Sequence, residues 1–360
     1  MAIPHEHGGN VFAVARDLGL APEKLLDFSA SINPLGMAPG VREALTGCFE
    51  RLLHYPDKGA TELRLSLADY HGCAPDEIAV GNGSTELIHL LPRVFSGCRA
   101  LIVAPAFAEY ALALERGGWQ TDYFNLSPDD GFALSIGALK ERLRHGYDML
   151  FICNPGNPAG NLVPKEEVAG IVDACREGGT FLVLDEAFID FCEHESAKDL
   201  VRHAPRAVLL RSMTKFFGIP GLRLGYALAR PETIAAIAAL QDPWNVNTAA
   251  QVAGVVSLAA SEYCRRTRSY IDAERVRFAA ALSALPGLEV FPARANYLLV
   301  RMTREGMTAG QLRETLKGKG ILIRDCGNFQ GLDTCYFRVA VRLTEENDLL
   351  VKSLAAVFAG

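Results

Sequence analysis

Between about residues 60 and 230, helical stretches alternate with short apolar runs at Ala100–Val103, Met149–Cys153, Phe181–Leu184 and Ala207–Leu210. Each run has four or five residues rich in Val, Ile, Leu or Phe, and polar, Gly or Pro residues follow at once. Continuous apolar runs of that length suit strands covered on both faces, so the pattern predicts a mostly parallel sheet flanked by helices. Beyond about residue 230 the texture changes. Alanine-rich helical stretches fill 231–283, strand-like runs follow at Asn296–Val300, Gly320–Ile323 and Tyr336–Ala340, and a closing helix spans about 344–358. The whole reads as an α/β chain: an N-terminal arm over 1–40 packing on or near the smaller domain, a large domain over 41–250, and a smaller α+β domain over 251–360.

Composition narrows the class. The 360 residues suit two domains, and 49% hydrophobic residues suffice for a large core. Lys+Arg 36 against Asp+Glu 42 gives a net charge of −6, without the basic excess usual in nucleic-acid binders. The longest apolar run, Thr248–Ser261, is broken by Gln251 and falls short of the ~20 residues a bilayer requires. The N-terminus lacks a basic segment followed by an apolar one, so no secretory leader is predicted. Nine scattered cysteines without a C-x-x-C pair suggest neither a disulfide framework nor a metal site. The expectation is a cytoplasmic protein with no membrane or nucleic-acid partner.

In open α/β sheets, ligands collect beyond the carboxyl ends of the strands. Those ends read Ala104-Pro-Ala-Phe107, Asn154-Pro-Gly-Asn-Pro-Ala-Gly160, Asp185-Glu-Ala-Phe188 and Arg211-Ser-Met-Thr-Lys215. Four consecutive strand ends with unusual residues make a site. Upstream, Ile78–Val80 leads through glycines to Ser84 and Thr85 at a helix start, where free N–H groups and the helix dipole favour an anion. Alone, that segment reads as an ordinary capped turn, and the missing G-x-G-x-x-G spacing disfavours a dinucleotide. Lys215 follows a buried strand amid apolar residues and glycines. An ammonium is costly to desolvate there, and burial lowers the pKa, which makes Lys215 a candidate for Schiff-base chemistry. Ser212 three residues before and Arg223 eight after favour that reading over a solvated loop lysine.

The S-x-x-K-x7-R spacing, the NPxNPxG loop and the Asp after a buried strand resemble fold-type I pyridoxal 5′-phosphate (PLP) enzymes, the aspartate aminotransferase superfamily, over essentially the whole chain. The resemblance implies roles for individual residues. Lys215 would take the cofactor in Schiff-base linkage, Asp185 would face its ring nitrogen, and Asn157 would bond its O3′. Phe107 would stack on the ring, while Ser84, Thr85, Ser212 and Arg223 would hold the phosphate. Tyr55 would reach that phosphate from a partner subunit, which implies a homodimer. Phe188 departs from the pattern: many relatives carry a tyrosine there, and phenylalanine cannot donate to O3′.

Further segments, His7–Asn10, Asp27–Gly36, Ile321–Phe329 and Gly331–Arg342, together with Asp185–Phe191 and Pro243–Asn247, resemble the threonine-phosphate decarboxylases of cobalamin biosynthesis. That family neighbours the histidinol-phosphate aminotransferases. The resemblance implies a phosphorylated amino acid as substrate, with contacts from His7, Gly8, Gly9, Asn33, Arg324 and Arg338. Arginine forks suit carboxylate and phosphate, and the Gly8-Gly9 backbone offers a small anion nest. Arg338 aligns with the arginine that usually holds the substrate carboxylate; which arginine takes which anion stays open. An aminotransferase is the alternative, because both reactions use the same parts and differ in the bond set perpendicular to the ring.

Overall fold

The computed structural model describes residues 8–304 and 306–358. In chain order its strands are β1 (Leu26–Asp27), β2 (Ile78–Asn82), β3 (Arg99–Ala104), β4 (Gln120–Asn125), β5 (Met149–Cys153), β6 (Phe181–Asp185), β7 (Ala207–Ser212), β8 (Leu224–Leu228), β9 (Leu288–Val290), β10 (Tyr297–Met302), β11 (Ile321–Leu322), β12 (Arg324–Asp325) and β13 (Tyr336–Ala340). Seven form one sheet in the order β2-β8-β7-β6-β5-β3-β4. The ladder from β7 to β4 is parallel, whereas β8 runs antiparallel to both β7 and β2. The four apolar runs are the central parallel strands. Edge strand β4 (Gln-Thr-Asp-Tyr-Phe-Asn) is mostly half-exposed and carries no apolar run, in keeping with an edge that meets water.

Successive residues of a strand face opposite sides, and the central strands divide accordingly. Leu150, Ile152, Leu182, Leu184 and Leu209 join one core layer with Leu63, Leu139, Val168 and Ile171 from covering helices. Met149, Phe151, Phe181, Val183, Val208 and Leu210 join the other with Ile88, Tyr110 and Ile234. Helix Thr248–Ala259 packs on helices Thr61–His71 and Val41–Thr46, so the helical cover of the large sheet continues past residue 250.

The smaller region is an antiparallel sheet in the order β12-β13-β10-β9. Helices Ser261–Ser283 and Thr344–Phe358 pack together beside it. The N-terminal segment joins this region through the parallel pair β1–β11. No described helix is long and apolar enough to cross a membrane.

Candidate active site

The carboxyl ends of β5, β6 and β7 converge with the start of helix Ser84–Val94. That helix follows Gly83, whose φ of 74° is open to glycine at little cost, so the first-turn N–H groups face outward. Ser84 and Thr85 are its first two residues. Arg223, itself left-handed at φ 59°, lays its guanidinium over this turn: a Cβ on Gly83 would lie 2.6 Å from Nη2. Gly225 pairs with Ser212 across β7–β8, and a Cβ there would overlap the Ser84 amide nitrogen. A helix N-terminus that begins with two hydroxyl residues and a guanidinium thus approach closely because two glycines leave room. This cradle fits a dianionic phosphate. Gly225→Ala should push the helix start away and lower affinity for PLP about tenfold, since overpacking typically costs about 1–3 kcal/mol; titrating the apo protein with PLP reads it.

Lys215 lies on the short helix Met213–Phe216 that follows β7. Its Nζ donates to Thr214 Oγ1 at 2.7 Å, and Thr214 Oγ1 shares a 2.7 Å bond with Ser212 Oγ. Burial pushes the Lys215 pKa down to about 8; the Arg223 and Arg338 charges act the same way, and Asp185 opposes them. The backbone of this turn is pinned. Asn33 N–H donates to Lys215 O at 3.0 Å, and Asn33 Nδ2 donates to Phe216 O, Tyr263 Oη and Thr267 Oγ1. Asn33 Oδ1 accepts from Leu35 N. Asn33, expected on the substrate, therefore has its side chain engaged in holding the Lys215 turn against helix Ser261–Ser283.

Asp185 closes β6 and is buried. Its Oδ2 accepts from Tyr110 Oη at 2.6 Å and its Oδ1 from Ala187 N at 2.9 Å. Burial pushes its pKa up, while both hydrogen bonds and the Lys215 charge hold it down. Phe107 immediately precedes helix Ala108–Arg116 and meets Tyr110 edge to face, with centroids 5.9 Å apart. Phe188 is buried edge-on to Tyr297 at 4.9 Å, and Lys215 Nζ stands 5.9 Å from its ring centroid.

Asn157 Oδ1 accepts from Arg338 Nη1. Arg338 also donates from Nη2 to Ser29 O at 2.9 Å and lies 4.9 Å above the Tyr297 ring, whose hydroxyl donates to Gly156 O. Its Nε is buried without a partner among the described residues. Arg324 is its direct cross-strand neighbour, paired with it in register across β12–β13. Like charges directly opposite each other on a sheet are destabilising unless anions sit between or above them. Arg324 donates to Asn328 Oδ1 at 2.9 Å and stacks on Phe329. With Gly8, Gly9 and Ser29 it lines a cavity of about 550 Å³ between the N-terminal segment and helix Ala309–Lys317.

The Gly8-Gly9 backbone is already partly engaged. Gly9 N–H donates to Ser29 Oγ at 2.8 Å, which engages one of its donors. Gly8 lacks a Cβ for a different reason: one there would collide with the Ser29 carbonyl that receives Arg338. His7 lies outside the described residues. Tyr55 turns outward, 79% exposed, and stacks on Trp244 with centroids 4.4 Å apart.

Behind the strand ends sits a buried ionic cluster. Arg211, fully buried, donates to Glu186 at 3.0 Å, Asp190 at 3.2 Å and Glu193 at 2.8 Å, and to Ser196 Oγ at 2.8 Å. This cluster, Tyr110, Thr214 and Tyr297 are silent in the sequence, because isolated aromatic, hydroxyl and charged residues carry no signal for a partner far along the chain.

The family model for aminotransferase class I and II matches residues 23–354. A threonine-phosphate decarboxylase of Salmonella typhimurium is 41% identical over 98% of this chain and 97% of its own length. Among solved structures, L-threonine-O-3-phosphate decarboxylase from Porphyromonas gingivalis superposes with a TM-score of 0.83 at 28% identity, covering 93% of this chain and 100% of that one. Histidinol-phosphate aminotransferase from Clostridium acetobutylicum superposes with a TM-score of 0.86 at 30% identity, over 93% of this chain and 99% of that one.

Proposed function

The chain belongs to the aminotransferase class I and II family, and from that premise we propose a homodimeric carboxy-lyase that converts L-threonine O-3-phosphate to (R)-1-amino-2-propanol O-2-phosphate and CO2 in cobalamin biosynthesis. The cofactor is PLP, and the cradle formed by Gly83, Ser84, Arg223 and Gly225 fits its phosphate. One observation carries the choice of substrate: Arg324 and Arg338, side by side in register, form a doubly cationic wall suited to a molecule with both a carboxylate and a phosphate.

Bound PLP supplies an electron sink for the pair released when the Cα–carboxylate bond breaks. Ser84, Thr85, Ser212 and Arg223 would hold its phosphate, and Asp185 would present a carboxylate to its ring nitrogen. Asn157 would offer its Nδ2 to O3′, since Arg338 engages its Oδ1. Phe107 would pack against the ring. Arg338 and Arg324 would orient the substrate's two anions, with Gly8 and Gly9 lining the same cavity as Arg324. The carboxylate leaves as CO2, and a proton from the Lys215 ammonium arrives at Cα. An amine with a pKa near 8 can both give and receive that proton at neutral pH.

CO2 evolved from threonine phosphate, with no keto acid present, is the expected result. Formation of glutamate from histidinol phosphate and 2-oxoglutarate, without CO2, would replace this reading by the aminotransferase.

The dimer reading rests on an outward apolar patch of Phe49, Leu52, Leu53, Tyr55 and Trp244. Exposed apolar clusters of this kind mark contact surfaces, and a second copy would bring Tyr55 to the cradle of its partner. Sedimentation at twice the chain mass is expected. A monomer at micromolar concentration that retains full PLP affinity counts against it.

A further inference from the structure

We propose that Tyr110 is a positioning residue for Asp185: its hydroxyl fixes Oδ2 of that carboxylate and keeps it ionised, so Tyr110 governs how firmly the protein takes a cationic ring nitrogen. The inference rests on PLP as cofactor and goes beyond it to a residue that never touches the ring in its expected pose.

Asp185 is almost wholly buried, and a buried carboxylate without donors would take up a proton. Among the described residues each of its oxygens has one donor: the Ala187 amide on Oδ1 and the Tyr110 hydroxyl on Oδ2. The amide is fixed by the turn after β6 and would be present with any side chain at 187. The Tyr110 hydroxyl is the donor that the sequence could have omitted.

The Cys153 thiol also stands within hydrogen-bonding reach of that hydroxyl, and packing holds the ring so that the hydroxyl meets the carboxylate at 2.6 Å. The Tyr110 ring is 1% exposed, stacked on Phe151 at 5.1 Å with 23° between planes, and met by the edge contact with Phe107. Clamped on two sides, it cannot swing away from Asp185. Cys153 is in register with Asp185 across β5–β6, and its thiol points to Pro155 O at 3.2 Å. Lys215 acts on the carboxylate through its charge. Burial raises the pKa of both Tyr110 and Cys153, and the neighbouring Asp185 charge raises them further. Phenol and thiol are thereby both held toward their protonated, donor forms beside the carboxylate. Through the same ring, Tyr110 ties the aromatic expected on the cofactor's face to the acid expected at its edge.

The test separates this role from packing. Tyr110→Phe keeps the ring and removes the donor. Apo variant and wild type are titrated with PLP and with its 1-deaza analogue, in which carbon replaces the ring nitrogen. Affinity for PLP should fall about tenfold to hundredfold, the range for one hydrogen bond to a charged group, and affinity for the analogue should not change. On an Asp185→Asn background, Tyr110→Phe should cost no further affinity. Equal losses for both ligands, or no loss for PLP, would overturn the proposal. A measurement on the unaltered protein covers a variant that fails to fold. With tyrosines selectively labelled, the Tyr110 hydroxyl proton should resonate far downfield and exchange slowly; exchange at the bulk-water rate would equally refute it.

Discussion

Lys215→Ala should lower CO2 release from threonine phosphate by at least about 10³-fold, the scale set by removing a group that serves as both nucleophile and proton carrier. Borohydride should fix PLP to the wild-type protein and leave the variant unlabelled, although the phosphate cradle still binds the cofactor. The reason is local. Lys215 Nζ is held at Thr214 Oγ1 in a half-buried setting, and no other lysine follows β7 in that turn. Its pKa also gives the pH dependence. A neutral amine attacks the aldehyde, and burial with two neighbouring arginines brings the folded-state pKa from 10.5 down to about 8. Uptake of PLP by apo protein should therefore quicken about tenfold per pH unit below about 8 and level off above it. A rate still climbing toward pH 10 would mean an ordinary solvated lysine.

Arg211→Ala should destabilise the fold by about 3–5 kcal/mol, because it leaves buried carboxylates without their shared counter-charge. That is a large fraction of the ~5–15 kcal/mol typical of a folded chain. Glu186 is fully buried and already pushed up to about 7 by burial, with Arg211 pulling it the other way. Asp190 is likewise raised by burial. Without the guanidinium, both can lower the cost only by taking up protons. The destabilisation should thus be greatest near pH 8 and shrink as pH falls toward about 5.5, a sign that urea unfolding at the two values would read. A loss independent of pH would point to the cavity alone. The effect reaches the site as well, since Glu186 follows Asp185 and Arg211 precedes Ser212. The cluster joins the ends of β6 and β7, which carry the acid and one hydroxyl of the cradle.

Much of this was legible from the residues in line. Met149–Cys153, Phe181–Leu184 and Ala207–Leu210 announced central parallel strands because burial on both faces leaves no room for polar alternation. Lys215 and Asp185 stand out because charged residues are rare where a buried strand ends, and Arg223 by its offset of eight from Lys215 in a glycine-bracketed stretch. β4 was silent, since an edge strand of half-exposed residues carries no apolar run. The bracing of the Lys215 turn by Asn33 is not legible in the sequence, because only the packed chain brings residues 33, 216, 263 and 267 to one point.

The order of residues along the chain, then, set the layer architecture and the chemistry available at the strand ends, both of which depend on local periodicity and residue type. Folding in three dimensions chose the partners. It put Arg324 opposite Arg338 in register, turned Tyr110 onto Asp185, and engaged Gly9 with Ser29. Pairings between residues far apart in sequence depend on strand register and side-chain direction. A linear string does not encode those until the strands have met.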